Sequence, residues 1–350
     1  MFKTKTVIVV GAGASCEAEI PDGRGLTSRI ANRVAMQVEH YQVKPNDWTY
    51  KTAIDHAMQA SGESDFNPYL QASRLIQRAM PQVTSIDNFI DMHRADKRVG
   101  LCGKLAIGQC ILQAEGESLL KVEQGNVYNT IDFIRAGGTW FNRFVQLLTQ
   151  NCTTDDLAKR LRTITFIVFN YDRCIEHFIF RSLQNVYQLD AEQAAALMTN
   201  LTIYHPYGRV GRLPWEKSTT GQSIGFGDKA TAEQLLKLSL ELKTFSEELD
   251  SASKDIASIR EAIVQAPTIV FLGFGFHQQN VDLILPANQI PQRDHVVTVI
   301  GTAKGMSKTD AELVTNGIRG RISRSITDVH IHNMTCSDLF DEYWRTLALR

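Results

Sequence analysis

Apolar positions along the chain gather into short, β-branched runs bounded by glycine or polar residues. The first is Thr6-Val-Ile-Val-Val10, and such an uninterrupted run predicts a strand covered on both faces of a parallel sheet. Similar runs recur at Thr163 to Phe169, Leu201 to His205, Thr268 to Leu272, His295 to Ile300 and Asp328 to His332. The stretches between them read as helical, so the fold class is α/β with crossover-linked parallel strands. About 150 residues separate the first two strands, where one crossover needs a dozen or more. That interval predicts a mainly helical insertion over residues 26–160. Within it Ile30, Val34 and Val38 recur at helical spacing, as do Phe133, Trp140 and Phe144 around Gly137-Gly138, and Gly62 to Asn67 punctuates the pattern. The core resumes over 161–335, with a helical interval at 232–266 whose apolar stripe is marked by Leu236, Leu240, Ile256, Ile259 and Ile263. Residues 336–350 read as a C-terminal helix. There is no internal repeat, and the whole of 1–350 reads as one domain.

Composition narrows the partners. The 350 residues are 43% hydrophobic and 21% charged, ordinary values for a globular chain. A net charge of -1 supplies no global drive toward nucleic acid or an anionic membrane, so neither is expected as a direct partner. No segment approaches the roughly 20 consecutive apolar residues of a membrane span. The start of the chain lacks the pattern of an export signal, which makes the expected location cytoplasmic. Cys16, Cys102, Cys110, Cys152, Cys174 and Cys336 form no CxxC pair and are expected to be reduced thiols in the structure. His93, His177, His330 and His332 show no metal-ligand spacing, and no metal is expected.

Candidate chemistry sits where the predicted strands end. Gly11-Ala12-Gly13-Ala14-Ser15 follows the first strand directly. Glycines there let backbone approach a ligand, and the helix start that follows offers N–H groups to phosphate, as in a Rossmann-like sheet. The third glycine of the dehydrogenase fingerprint is replaced by Cys16, and the acidic residue some 20 positions further on is missing. Ile20-Pro21-Asp22-Gly23-Arg24-Gly25-Leu26 reads as a turn able to close over a ligand as a lid. Phe169-Asn170-Tyr171-Asp172 and Tyr204-His205-Pro206-Tyr207-Gly208 end two further strands, and the carboxyl edge of a parallel sheet is the usual ligand crevice. A histidine at such a position can act as a base near neutral pH. Phe271-Leu272-Gly273-Phe274-Gly275-Phe276 and Ile300-Gly301-Thr302 complete the set, with His277 close behind the former. Ser85-Ile86-Asp87-Asn88 reads as structural, with its Asp or Asn as a helix cap.

Taken in order, these segments resemble the sirtuin family, whose pattern is a GAGxS loop, an IPDxR segment, an Asn-x-Asp strand end, a catalytic histidine followed closely by glycine, and a later glycine-containing strand. The resemblance covers residues 7–24 and 163–302 in patches. Family deacylases carry a four-cysteine zinc module between the asparagine and glycine-strand motifs, and only Cys174 lies between Asn170 and Gly273 here. They also carry Phe where Gly23 stands, and a GTS strand where this chain has Gly273-Phe274-Gly275. With these departures the chain looks more like the sirtuin-like NAD hydrolases of bacterial anti-phage defence.

The resemblance implies an NAD hydrolase that takes NAD as substrate and depletes it in the cell. Nicotinamide is already a cationic leaving group, so its departure needs no paired carboxylic acid, unlike that of an ordinary glycoside. The expected roles are Asn170 positioning water or ribose, His205 accepting a proton, and Asp172 orienting the ribose hydroxyls or holding the loop. Gly11, Ala12, Gly13 and Ser15 would cradle the pyrophosphate with Asp22 and Arg24 nearby, while Gly273, Phe274, Gly275, Gly301 and Thr302 line the adenosine half. Free activity of this kind is toxic. The resemblance therefore implies restraint by a homo-oligomer or by an Argonaute-like, helicase-like or nucleotide-sensing partner. The alternatives are an NAD-dependent protein deacylase and a non-catalytic NAD or ADP-ribose sensor.

Overall fold

A computed structural model describes residues 2–40, 42–123, 125, 129–217, 221–244, 247, 254–287, 296–322 and 327–349. Six parallel strands form the central sheet: β1 (Thr6–Val10), β4 (Ile164–Val168), β5 (Thr202–Tyr204), β6 (Thr268–Leu272), β7 (Val297–Thr302) and β8 (Thr327–His332). Their spatial order is β5-β4-β1-β6-β7-β8, the order of a Rossmann-like doubly wound sheet. β1 lies at the centre, with Thr6 level with Ile164 on one side and Thr268 on the other. The order reverses between β1 and β6, so the loops leaving these two strands meet at the switch point, near which such sheets bind ligands. The predicted strands hold to within a few residues. The fifth starts at Val297 rather than His295, which lies outside the described residues.

Alternation along β1 explains why its run is wholly apolar. Val7 and Val9 enter one core and Ile8 and Val10 the other, and all four are buried. Each side chain fully buried in this way is worth roughly 1.5–3 kcal/mol. The first core lies beneath α2 (Gly23–Arg33), α3 (Trp48–Ser61), α4 (Asn67–Ala79), α5 (Ile86–Met92), α6 (Lys97–Glu117), α11 (Ala232–Glu241) and α12 (Lys254–Gln265). The second lies beneath α7 (Trp140–Thr149), α8 (Thr154–Leu161), α9 (Cys174–Tyr187), α10 (Ala191–Met198) and α15 (Cys336–Glu342). The insertion between β1 and β4 is thus divided between both faces of the sheet.

Several local expectations are corrected. Val38 does not continue the helical stripe of Ile30 and Val34, because α2 ends at Arg33 and Val38 lies exposed in a hairpin of β2 (Met36–Glu39) and β3 (Gln42–Pro45). In α11 the inward residues are Leu235 and Leu238, whereas Leu240 is exposed. Ile256, Ile259 and Ile263 of α12 are buried as the stripe requires. The segment read as a turn opens α2, where Asp22 accepts the Gly25 N–H as the N-cap, a role suited to a short acidic side chain. The C-terminal helix is two, α15 and α16 (Trp344–Leu349), separated at Tyr343. Among the described residues no helix is long and apolar enough to cross a membrane.

Candidate functional site

The ends of β1 and β4 are joined by a chain of polar side chains. Asn170 Nδ2 donates to the Gly11 carbonyl at 3.2 Å and to Ser15 Oγ at 2.9 Å. A carbonyl can only accept, so the nitrogen end of the amide must face Gly11. Ser15 Oγ donates in turn to Asp172 Oδ2 at 2.8 Å, and Asp172 Oδ1 accepts the Cys174 N–H at 3.1 Å at the start of α9. Ser15, Asn170 and Asp172 are all buried. Each Asp172 oxygen thus accepts one hydrogen bond from the protein.

His205, just past β5, reaches the same place from the side. Its Nδ1 lies 3.4 Å from the Asn170 carbonyl oxygen, and its Nε2 lies 2.7 Å from Glu176 Oε1. The side chains of His205 and Glu176 are 8% and 4% exposed, so the bond between them is largely dry. Arg209 Nη1 donates to the same Glu176 oxygen at 2.7 Å and pairs with Glu216 behind it. Burial alone would raise the Glu176 pKa, but His205 and Arg209 overcome it and hold the carboxyl at about 2. Sequence reading missed Glu176. Its only signal was an acidic residue in the first turn of the helix that follows Asn170, where a negative charge also meets the positive end of the helix dipole.

The glycines serve a contact between loops. A Cβ on Gly11 would stand 2.6 Å from the Gly273 carbonyl oxygen, and one on Gly273 would stand 1.9 Å from Ala14 N. Gly273 also has φ +53, which a side chain disfavours. Gly13 N–H donates to the Gly273 carbonyl at 3.0 Å and Gly11 N–H to the Leu272 carbonyl at 2.9 Å. Gly273 N–H is held by Thr302 Oγ1 at 2.8 Å. Gly11, Gly13 and Gly273 therefore bring the β1 and β6 loops into backbone contact at the switch point, and two of the N–H groups expected to cradle a pyrophosphate are already used. Ala12 and Gly13 still reach the surface, as does Gly275, whereas Phe274, Gly301 and Thr302 are buried. Arg24 is exposed on α2. Lys304, beyond β7, acts on exposed Cys16 with a charge opposite to that of Asp22, which puts a cation at the rim that the motifs did not indicate.

Aromatic rings line the same edge. Phe169 packs against Tyr207 and Phe274, and Phe274 against Phe271 and Phe276. Tyr207 donates its hydroxyl to Asn280 Oδ1 at 2.6 Å. Two polar ties run from the strand end to the helices over the first core. Tyr171 donates its hydroxyl to Asp87, whose pKa burial raises, and Arg173 pairs with Glu115 of α6 at 2.5 Å. The cap of α5 is Ser85, which accepts the Asn88 N–H, rather than the expected Asp87 or Asn88, and Asp87 instead meets Tyr171. Two surface hollows lie away from this edge: about 240 Å³ between Arg29, Arg33 and Gln113, and about 790 Å³ beside Leu119, Asp132 and Ile134. Among the described residues no cluster of His, Cys, Asp or Glu is arranged to hold a metal. No protein-family model matches the sequence, and a search of curated proteins finds none similar to it.

Proposed function

We propose that this protein cleaves NAD between nicotinamide and ribose, releasing nicotinamide and ADP-ribose. The observation that carries the proposal is the meeting of Asn170 and His205 at the carboxyl edge of a sheet with Rossmann-like strand order, with a buried carboxylate behind the histidine. The cationic ring departs with the bonding pair as neutral nicotinamide, and its positive charge passes to an oxocarbenium-like ribose. Water then adds to its anomeric carbon and loses a proton. His205 takes that proton, and Asn170, fixed through Gly11 and Ser15, orients the ribose or the water. In this reading the pyrophosphate lies against the loop at Ala12 and Gly13, with Lys304 nearby.

We further propose that the activity is gated by self-association or by a sensing partner in an antiviral setting. Asn170 Nδ2, both Asp172 oxygens and both His205 nitrogens face protein atoms, so substrate must displace some of these contacts. The same contacts favour a second reading, a non-catalytic nucleotide sensor. Purified protein incubated with NAD, with the products separated by chromatography, decides between them. Nicotinamide and ADP-ribose in equal amounts, lost in His205→Gln, support cleavage. Saturable NAD binding without turnover, alone and with added candidate partners, supports the sensor, and neither binding nor turnover ends both.

A further inference from the structure

We infer that Glu176 is a positioning residue for His205 that fixes Nε2 as the protonated nitrogen and leaves Nδ1 as the working one. This inference rests on the NAD-cleaving reading of the site. An ionised carboxylate can only accept hydrogen bonds. Glu176 Oε1 already accepts from Arg209, which keeps the carboxylate charged, and His205 Nε2 stands 2.7 Å from the same oxygen. The hydrogen of that bond must come from Nε2. The neutral ring then carries its lone pair on Nδ1, which faces the Asn170 carbonyl oxygen, itself an acceptor, so this contact has to open before Nδ1 can take a proton from water.

The consequence is a division of labour around one imidazole. In the cleavage step a lone pair of the water oxygen forms the new bond to the anomeric carbon, nicotinamide leaves with the pair of the old bond, and the water proton goes to Nδ1 while its O–H pair stays on oxygen. The resulting imidazolium has Nε2–H on Glu176 and a new Nδ1–H, with the Asn170 carbonyl oxygen 3.4 Å away to accept it. Both charges of the pair then face each other in a nearly dry place, where they interact more strongly than in water. Glu176 itself touches no substrate in this scheme. Arg209 and Glu216 hold it from behind, so the carboxylate keeps its direction while the ring exchanges protons. The bonds from His205 and Arg209 both fall on Oε1, so Arg209 restrains the same oxygen that the histidine uses.

Two measurements test this. Nitrogen NMR of the labelled wild-type protein at alkaline pH should show His205 with its hydrogen on Nε2, and a hydrogen on Nδ1 would overturn the inference without any variant. In steady-state cleavage, Glu176→Gln keeps an oxygen for Nε2–H and Arg209 but loses the charge that answers the imidazolium. Its kcat should fall about tenfold or more while KM for NAD changes little. Glu176→Asp, charged but shorter, should recover part of the loss. Undiminished kcat in a folded Glu176→Gln variant beside an active wild type overturns this inference alone. Absence of NAD cleavage by wild type, alone and with added candidate partners, overturns the functional reading and this inference with it.

Discussion

Two buried carboxylates, Glu115 and Glu176, meet the first turn of α9, and they are treated differently. Glu115 accepts the Arg173 N–H, Nε and Nη2 and the Gly227 N–H, so both oxygens are matched. Arg173 completes the arrangement by donating to the Ile224 and Gly225 carbonyls. Glu176 takes His205 and Arg209 on one oxygen and leaves the other without a donor among the described residues. The first is a closed network, which locks the helical layer to the start of α9. The second is an open one built around a titratable ring. A fully satisfied buried pair specifies structure, whereas an incompletely satisfied one beside a histidine marks where chemistry is to be sought.

The largest effect that separates them is on turnover. His205→Gln should lower kcat for NAD cleavage by about 10²–10⁴-fold with the melting temperature nearly unchanged, because glutamine can still donate to Glu176. Comparable loss of activity in Arg173→Met without loss of stability would erase the contrast. On stability the order reverses. Glu115→Ala strands a buried arginine and should cost about 3–5 kcal/mol, read from denaturant unfolding. Adding Arg173→Met to it should cost less than the sum of the two single changes.

Next in size are the loop glycines. Gly273→Ala places a methyl against the Ala14 backbone at positive φ and should destabilise by about 2–4 kcal/mol. Gly275→Ala meets only the His277 ring and should stay within about 0.5 kcal/mol. Equal effects would mean that the contact between the β1 and β6 loops is dispensable.

Acid response provides the finest distinction. Burial, with Arg181 nearby, lowers the His177 pKa from 6.5 to about 3, while its Nε2 meets the Leu120 carbonyl oxygen and its ring stacks on Phe226. The unfolded chain therefore binds a proton there that the folded one refuses, and stability falls as pH drops below 6.5 until about 3. Glu176 titrates at about 2 when folded against an ordinary 4.5, so its contribution is full above 4.5 and is lost on going down toward 2. In urea midpoints measured against pH, His177→Phe should flatten the slope from its upper end, and Glu176→Gln only the part below 4.5.

These contrasts also explain what could be read from the chain. The sheet was legible because strands covered on both faces have to be apolar throughout, as in Thr6 to Val10 and Thr268 to Leu272. The β2–β3 hairpin was not, since its residues are mostly exposed and carry no stripe. Asn170 and His205 were legible as polar residues at strand ends. Glu176 was not, because its pairing depends on where β5 lies relative to α9, which no local spacing encodes. The glycines were found by position but not by role: a glycine admitting a ligand and one admitting another loop look alike in sequence.

The central place of β1 also bears on how the protein is made. β1 is translated well before its neighbours in the sheet, which begin at Ile164 and Thr268. While the chain is being synthesised, this apolar strand waits without its hydrogen-bonding partners, whereas α3 to α6 can gather around contacts closer in sequence. Pairings of such long range are slow to form and leave strand edges open meanwhile. Fragments ending before Ile164 should therefore aggregate through β1, and a synthesis that stalls early would leave a sticky segment rather than a small folded unit.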